Sequence, residues 1–201
     1  MIQKFTHISE MRTFLTERLS DDAFLGRKGY TVRGASRHYI MPYPPEQEVE
    51  AQELIRAISL DLPAHGANPL IVDLYDIILA YLDNESMWEG ACALEEEYER
   101  NDVIMTLQDT LTVRGVIAPA IKDQIERSPE ADLCIITGVG ATYPFIRTHT
   151  LFEELTTSIP IVLAFPGRYA QRADGSTSLD ILGLDQSTSG GRYPVTDVFE
   201  L

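Results

Sequence analysis

The stretch ITGVGATYPFIRTHTLFEEL, residues 136–155, contains the side chains that most readily suggest a binding site. It begins in an apolar run typical of a buried strand and continues into a helical pattern. Glycines at a strand-to-helix turn can expose backbone N–H groups, which together with an arginine can bind an anion or a peptide. The candidate residues are Gly138, Gly140, Tyr143, Pro144, Arg147 and His149. A purely structural turn, with Arg147 paired to a nearby carboxylate, explains the same residues equally well.

Two further turns carry residues with possible roles. In VDLYD, Asp73 and Asp76 could together hold a Mg²⁺ ion. We favour a structural interpretation, in which Asp76 caps the next helix and Asp73 bonds to the neighbouring backbone. In FPGRY, Pro166 and Gly167 predict a sharp turn after a buried strand, and Tyr169 is expected to project from that turn.

The sequence contains none of the common catalytic motifs. The turn after Tyr43 has no glycine and no lysine, and the helix behind it begins with glutamates that would repel a phosphate. No Gly-Lys pair exists in the chain, so no Walker A loop is present. The G-x-S-x-G, H-E-x-x-H and C-x-x-C patterns are also missing. We therefore predict no catalytic, cofactor-binding or metal-binding residues and do not expect an enzyme.

Predicted strands and helices alternate along the chain and must position these turns. The strands are expected at 37–43, 70–74, 133–137, 159–165 and 179–184, and the main helices at 9–19, 46–60, 77–84, 85–100, 103–127 and 144–157. This alternation predicts an α/β fold with a mostly parallel central sheet and helices on both faces, P-loop/Rossmann-like but without a Walker A motif. Because parallel strands end at one edge of a sheet, the turns should lie together there. One domain over 1–201 is expected, with a helix and loop at 1–36, an α/β core at 37–184 and a tail at 185–201.

The charge of the chain argues against nucleic acid as a partner. The 201 residues include 31 acidic and 16 basic side chains, which give a net charge of −15 and repel a phosphate backbone. The best basic cluster is Arg27, Lys28, Arg33, Arg37 and His38. It is either a solvated loop or a small anion-binding patch, and we favour the loop.

Other features of the composition predict a cytoplasmic protein. No apolar run approaches the length of about 20 residues that a membrane helix needs. The N-terminus lacks the features of a secretion signal. Cys92 and Cys134 lie far apart in the sequence, and Cys134 is expected to be a buried thiol rather than half of a disulfide.

The segment 136–149 resembles the BrxB family of BREX phage-defence systems, through the pattern ITGVG-x-x-YP-x-x-R-x-H. A later PG-x-Y element at Pro166, Gly167 and Tyr169 and the VDLYD segment also match, so the resemblance covers about residues 24–169. The family usually ends in an aromatic–aromatic–Arg element, whereas this chain ends GGRYPVTDVFEL. Family roles are therefore not carried over to the last thirty residues.

The resemblance implies a non-enzymatic accessory or adaptor protein. Its expected partner is the alkaline-phosphatase-like PglZ component, and further BREX components, the ATPase and the methyltransferase, are possible partners. No catalytic residues come with the resemblance, and neither a cofactor nor a membrane is implied. The alternative is a degenerate nucleotide- or phosphate-binding domain with weak or lost activity, acting through Gly138, Gly140, Arg147 and Asp73.

Overall fold

A computed structural model of the chain describes residues 8–27, 37–84, 87–171, 177–182 and 195–201. Its strands are β1 (His38–Tyr43), β2 (Pro69–Asp73), β3 (Leu133–Thr137), β4 (Ile161–Gln171), β5 (Thr177–Ile181) and β6 (Val195–Asp197). Its helices are α1 (Ile8–Leu19), α2 (Asp22–Leu25), α3 (Glu48–Asp61), α4 (Leu74–Asn84), α5 (Trp88–Glu97), α6 (Arg100–Thr110), α7 (Ala118–Glu126) and α8 (Thr148–Glu154). No helix in these ranges is long and apolar enough to cross a bilayer.

Five strands form a parallel sheet in the order β2-β3-β4-β1-β6. The outer half of β4 continues beyond this sheet and pairs with β5 in the antiparallel sense. The predicted α/β fold with a mostly parallel sheet is thus confirmed. The match is closest at β3, whose predicted and observed limits coincide, because an apolar pentapeptide buried along its whole length gives a clear strand signal.

Helices cover both faces of the sheet, as alternate strand residues show. On β4, Leu163 and Phe165 pack into one core together with residues of α4, α7 and α8. Val162 and Ala164 face the opposite way and join a second core with residues of α1, α2 and α3. The period of two along a strand therefore divides one sheet between two hydrophobic layers.

Several elements differ from their predicted form. The helix expected over 103–127 is broken around Gly115 and Pro119 into α6, a π-helical turn at Val113–Ile117, and α7. The strand ending at Phe165 in the prediction runs on to Gln171. Within the predicted tail, β6 pairs with β1 and adds a strand to the sheet.

Pro42 lies in β1 without disturbing the sheet, because the neighbouring strand β6 is short. The β6 strand pairs only with His38–Ile40, so among the described strands β1 has a partner on just one side at Pro42. The missing N–H of a proline is tolerated at such a local edge.

The two cysteines have different environments. Cys134 is fully buried in β3, and burial raises the pKa of its thiol to about 12, whereas Cys92 is exposed on α5. Cys134 is therefore the inert buried thiol that the apolar run predicted.

His38 should make the stability of the fold depend on pH. Its ring packs at a tilt against Phe152, with 5.6 Å between centroids, and its buried Nδ1 has no hydrogen-bond partner among the described residues. Burial lowers the pKa of His38, although a hydrogen bond to the Leu155 carbonyl partly opposes the shift. The unfolded chain binds a proton near pH 6.5, where the folded chain does not, so stability should decline as pH falls below about 6.5.

Urea unfolding at pH 8 and at pH 5.5 measures this effect. The wild-type midpoint should fall more between the two values than the midpoint of His38→Phe, which keeps the ring contact with Phe152 and removes the titrating group. Equal declines in both proteins would contradict the prediction.

Candidate functional site

The carboxyl edge of the parallel sheet is where an α/β fold normally binds ligands. The chain leaves this edge toward opposite faces, with α3 after β1 on one side and α4 and α8, after β2 and β3, on the other. Polar residues from three strand ends meet there. We call these residues the edge cluster: Tyr43, Glu48, Asp73, Thr137 and Gly138.

Asp73 is fully engaged within the edge cluster. Its Oδ1 accepts hydrogen bonds from the backbone N–H groups of Tyr75 at 2.8 Å and Asp76 at 3.4 Å, which caps the start of α4. Its Oδ2 accepts a bond of 2.8 Å from the Thr137 hydroxyl at the end of the neighbouring strand β3. The predicted backbone bonds to Asp73 are therefore confirmed, but the capping residue is Asp73 and not Asp76, since α4 begins one residue after Asp73.

Tyr43 and Glu48 form the other half of the edge cluster. The buried Tyr43 hydroxyl donates to Glu48 Oε2 at 2.8 Å, and Gln52 Nε2 donates to Glu48 Oε1 at 2.9 Å. Burial, followed by the negative charges of Glu48 and Asp73, raises the pKa of Tyr43 far above its usual range. Tyr43 thus stays protonated and acts as a donor to the carboxylate.

Gly138 and Gly140 bring the loop after β3 close to these carboxylates. Gly138 adopts a left-handed backbone with φ of 79°, and a Cβ there would lie 2.5 Å from Asp73 Oδ1. A Cβ on Gly140 would lie 3.2 Å from Pro166 Cγ and 3.8 Å from Glu48 Oε2. The glycines therefore permit close approach of the backbone, and the groups they approach are anionic and apolar.

The segment after Gly140 forms a compact turn rather than the start of a helix. Thr142 is buried, and its hydroxyl bonds to the carbonyl oxygens of Gly138 and Val139 at 3.0 and 3.2 Å. The Tyr143–Pro144 peptide is cis, and Gln108 of α6 donates to the Pro144 carbonyl at 2.8 Å. The predicted helix start at Pro144 is wrong, because these bonds fix a separate turn and α8 begins only at Thr148.

The two basic candidates of this segment lie at the start of α8. Arg147 directly precedes the helix and is exposed. Within the described residues its guanidinium has no carboxylate partner. His149 lies within α8, but its side chain falls outside the described part of the structure.

Pro166, Gly167 and Tyr169 lie inside a strand, so the sharp turn predicted for them is wrong. Gly167 pairs with Ile181 of β5, and a Cβ on Gly167 would collide with the Asp180 carbonyl of that strand. Tyr169 is buried and does not project, since its hydroxyl donates to the Val195 carbonyl of β6 at 2.9 Å. These residues attach β5 and β6 to the sheet.

The basic cluster near the N-terminus also has a structural role where it is described. Arg27 bonds to the Gly66 carbonyl at 2.8 Å and forms an ion pair with Asp132 at 2.5 Å. Arg37 donates to the carbonyls of Leu25 and Ser158. Lys28 and Arg33, two other members of the cluster, lie outside the described residues.

The edge cluster as a whole presents carboxylates and hydroxyls that bond to one another. Asp76 is exposed and does not join Asp73 in a ligand set. Among the described residues, no group of three or more potential ligand side chains is arranged to hold a metal ion. Sequence reasoning missed Glu48 and Thr142, because only the folded chain brings Glu48 beside Tyr43 and buries the Thr142 hydroxyl.

Comparison with known proteins places the chain in a family. The family described as BREX protein BrxB matches residues 70–190. The BREX protein BrxB of Bacillus cereus (strain H3081.97) is 24% identical over 172 residues, which cover 81% of this chain and 85% of that protein. The BREX protein BrxB of Escherichia coli O9:H4 (strain HS) is 23% identical over 159 residues, with 78% and 77% covered.

No solved structure matches the chain. The family match alone spans more than half of the sequence and includes β2, β3, β4 and the turn at Gly138–Arg147. The chain therefore belongs to the BrxB family of BREX phage-exclusion systems.

Proposed function

We propose that the protein is a non-enzymatic adaptor of its BREX system and docks on the alkaline-phosphatase-like PglZ component. The observation that carries this proposal is the state of the carboxyl edge. The Asp73 and Glu48 carboxylates there are satisfied by hydrogen bonds from the chain itself. Because these carboxylates are already bonded within the chain, we assign the edge cluster a structural role. The function is then expected to lie in contacts between the exterior of the protein and other proteins.

The charge at this edge weighs against the alternative of a degenerate nucleotide-binding domain. A phosphate would meet the carboxylates of Asp73 and Glu48, and the space beside Gly138 is occupied by Asp73 Oδ1. Among the described residues, the edge cluster also contains no lysine of the kind that phosphate loops use. Isothermal titration with ATP at millimolar concentration should show no binding, and saturable heat would favour the alternative.

Co-purification tests the adaptor function directly. The full chain and the PglZ-like component of the same system should be co-expressed, with a tag on only one of them. We expect stoichiometric retention of the untagged protein at low salt. Loss of the PglZ-like protein during washing at low salt would contradict the proposed partner.

Arg147 provides a test within the living cell. We expect Arg147→Ala to abolish phage defence while leaving the fold intact, because its exposed guanidinium has no carboxylate partner among the described residues. Truncation of an exposed side chain of this kind changes the free energy of unfolding by less than about 0.5 kcal/mol. Plaque assays and urea unfolding measure the two effects.

Arg56→Ala supplies the matched control, since Arg56 is also exposed and lies on α3. It should retain full defence and full stability. Unfolding of Arg147→Ala would show instead that the arginine holds the fold together.

A further inference from the structure

A groove of about 490 Å³ lies between α6 and the turn that follows Gly140. Its wall is mostly apolar and aromatic, and the residues that define it are Tyr98, Ile104, Leu107, Tyr143, Pro144 and Phe145. Gln108 of α6 donates a hydrogen bond of 2.8 Å to the Pro144 carbonyl, and this bond ties one wall of the groove to the other. The groove is therefore a preformed feature, and none of the edge-cluster residues lines it.

Tyr98 is the most accessible aromatic residue of the groove. It lies between α5 and α6 and is 55% exposed. Phe145, on the opposite wall, is only partly buried. Half-exposed aromatic side chains that converge on a concave surface are typical of the centre of a protein interface, where they supply most of the binding energy.

The chain on both sides of Tyr98 is acidic. Glu97 and Glu99 flank Tyr98 directly, Glu96 precedes them, and all three are exposed. None of the three has an ion-pair partner within the described residues. Arg100 is the one cation among the described residues that line the groove, and the three exposed glutamates beside Tyr98 in the chain outnumber it. Uncompensated charge beside an apolar centre favours a partner of opposite sign.

We propose that this groove is the docking site for a polypeptide segment of another BREX component, with an aromatic or aliphatic anchor flanked by lysine or arginine. The inference rests on the adaptor function proposed above and adds the surface and the chemistry of the partner. The anchor packs against Tyr98 and Phe145, and the basic side chains pair with Glu97 and Glu99.

A second copy of the chain is the wrong occupant for this groove. A two-fold dimer places the same patch of both copies together, and here that patch carries Glu96, Glu97 and Glu99. Each copy also has a net charge of −15, so the two would repel each other at low salt. The charge pattern therefore selects a basic partner.

Binding measurements with purified components test the proposal. The PglZ-like protein, the ATPase and the methyltransferase of the same system should each be titrated against the immobilised full-length chain. Tyr98→Ser should weaken binding of the partner by at least about tenfold, the usual consequence of removing an aromatic anchor. Glu97→Lys with Glu99→Lys should weaken it by a similar factor at low salt, and the difference should shrink as salt rises.

Matched controls separate the groove from general surface effects. Met105→Ser changes a residue of α6 that is 62% exposed and does not line the groove. Glu46→Lys with Glu53→Lys makes the same charge change at two exposed positions, one in the 3₁₀ turn before α3 and one within α3. Both controls should bind within twofold of the wild type, and circular dichroism should confirm that all variants are folded.

The outcomes distinguish this inference from the adaptor function. If the PglZ-like protein binds and the groove variants bind equally well, the docking site is wrong and the adaptor function stands. If only the ATPase or the methyltransferase binds, and the groove variants lose that binding, the docking site is supported and the PglZ assignment is wrong. Binding to no component overturns both. If sedimentation shows a wild-type dimer that Tyr98→Ser dissociates, a second copy of the chain occupies the groove and the proposed basic partner is wrong.

Discussion

Gly167→Ala is expected to detach β5 from β4 and to lower the free energy of unfolding by about 3 kcal/mol, near the upper end for overpacked sites. The added Cβ would lie well inside contact distance of the Asp180 carbonyl oxygen, 3.0 Å from the Asp180 carbonyl carbon and 2.8 Å from Phe165 Cε1. Two of these atoms belong to the paired backbone and cannot rotate away. The ring of Phe165 is fully buried and is also held in place. Relief therefore requires the two strands to separate.

Urea unfolding followed by circular dichroism measures the effect. Gly90→Ala is the matched control, because a Cβ at Gly90 on α5 meets nothing within 4 Å. That change should leave stability the same or raise it by up to about 1 kcal/mol, since alanine favours a helix. A Gly167→Ala protein with the wild-type midpoint would mean that β5 does not lie against Gly167.

The same glycine shows why part of the fold could not be predicted from the sequence. In FPGRY, proline and glycine favour a turn by every local rule. The glycine is required by a strand that lies next to it in the folded chain, and local residue preferences do not reveal that neighbour. Strand β3 was predictable, in contrast, because burial on both faces leaves a continuous apolar run in the sequence itself.

The candidate site was likewise predictable only in part. The pattern around Gly138 correctly indicated a turn at the end of a buried strand. It could not indicate that the group lying against this glycine is the Asp73 carboxylate, 65 positions earlier in the chain. The start of α8 was misplaced for a related reason, since Thr142 and Gln108 hold the turn at Pro144 through bonds that helix propensity does not include.

Gly138→Ala is expected to lower the free energy of unfolding by about 3 kcal/mol, through two separate costs. The left-handed backbone at φ of 79° costs a residue with a side chain about 1 kcal/mol or more. The new Cβ would also lie 2.5 Å from Asp73 Oδ1 and displace that carboxylate. Displacement breaks the cap of α4 and the bond from Thr137, each worth about 1 kcal/mol.

Gly66→Ala isolates the first of these costs. Gly66 has a φ of 80°, almost the same as Gly138, but a Cβ there meets nothing within 4 Å. Its destabilisation should be about 1 kcal/mol, and the excess found for Gly138→Ala then measures the collision with Asp73. Equal losses at the two glycines would show that the carboxylate moves aside without cost.

Combining Gly138→Ala with Asp73→Ala identifies Asp73 as the source of the excess. Asp73→Ala alone removes the cap and the Thr137 bond, so it should itself cost about 2 kcal/mol. In the double variant there is no carboxylate left to displace, and the total should fall short of the sum of the single losses by about 1 to 2 kcal/mol. If the losses of the two single variants are strictly additive, Gly138 and Asp73 do not interact energetically. A shortfall of the expected size would show that the glycine of the family pattern is required because the end of β2 places Asp73 against it.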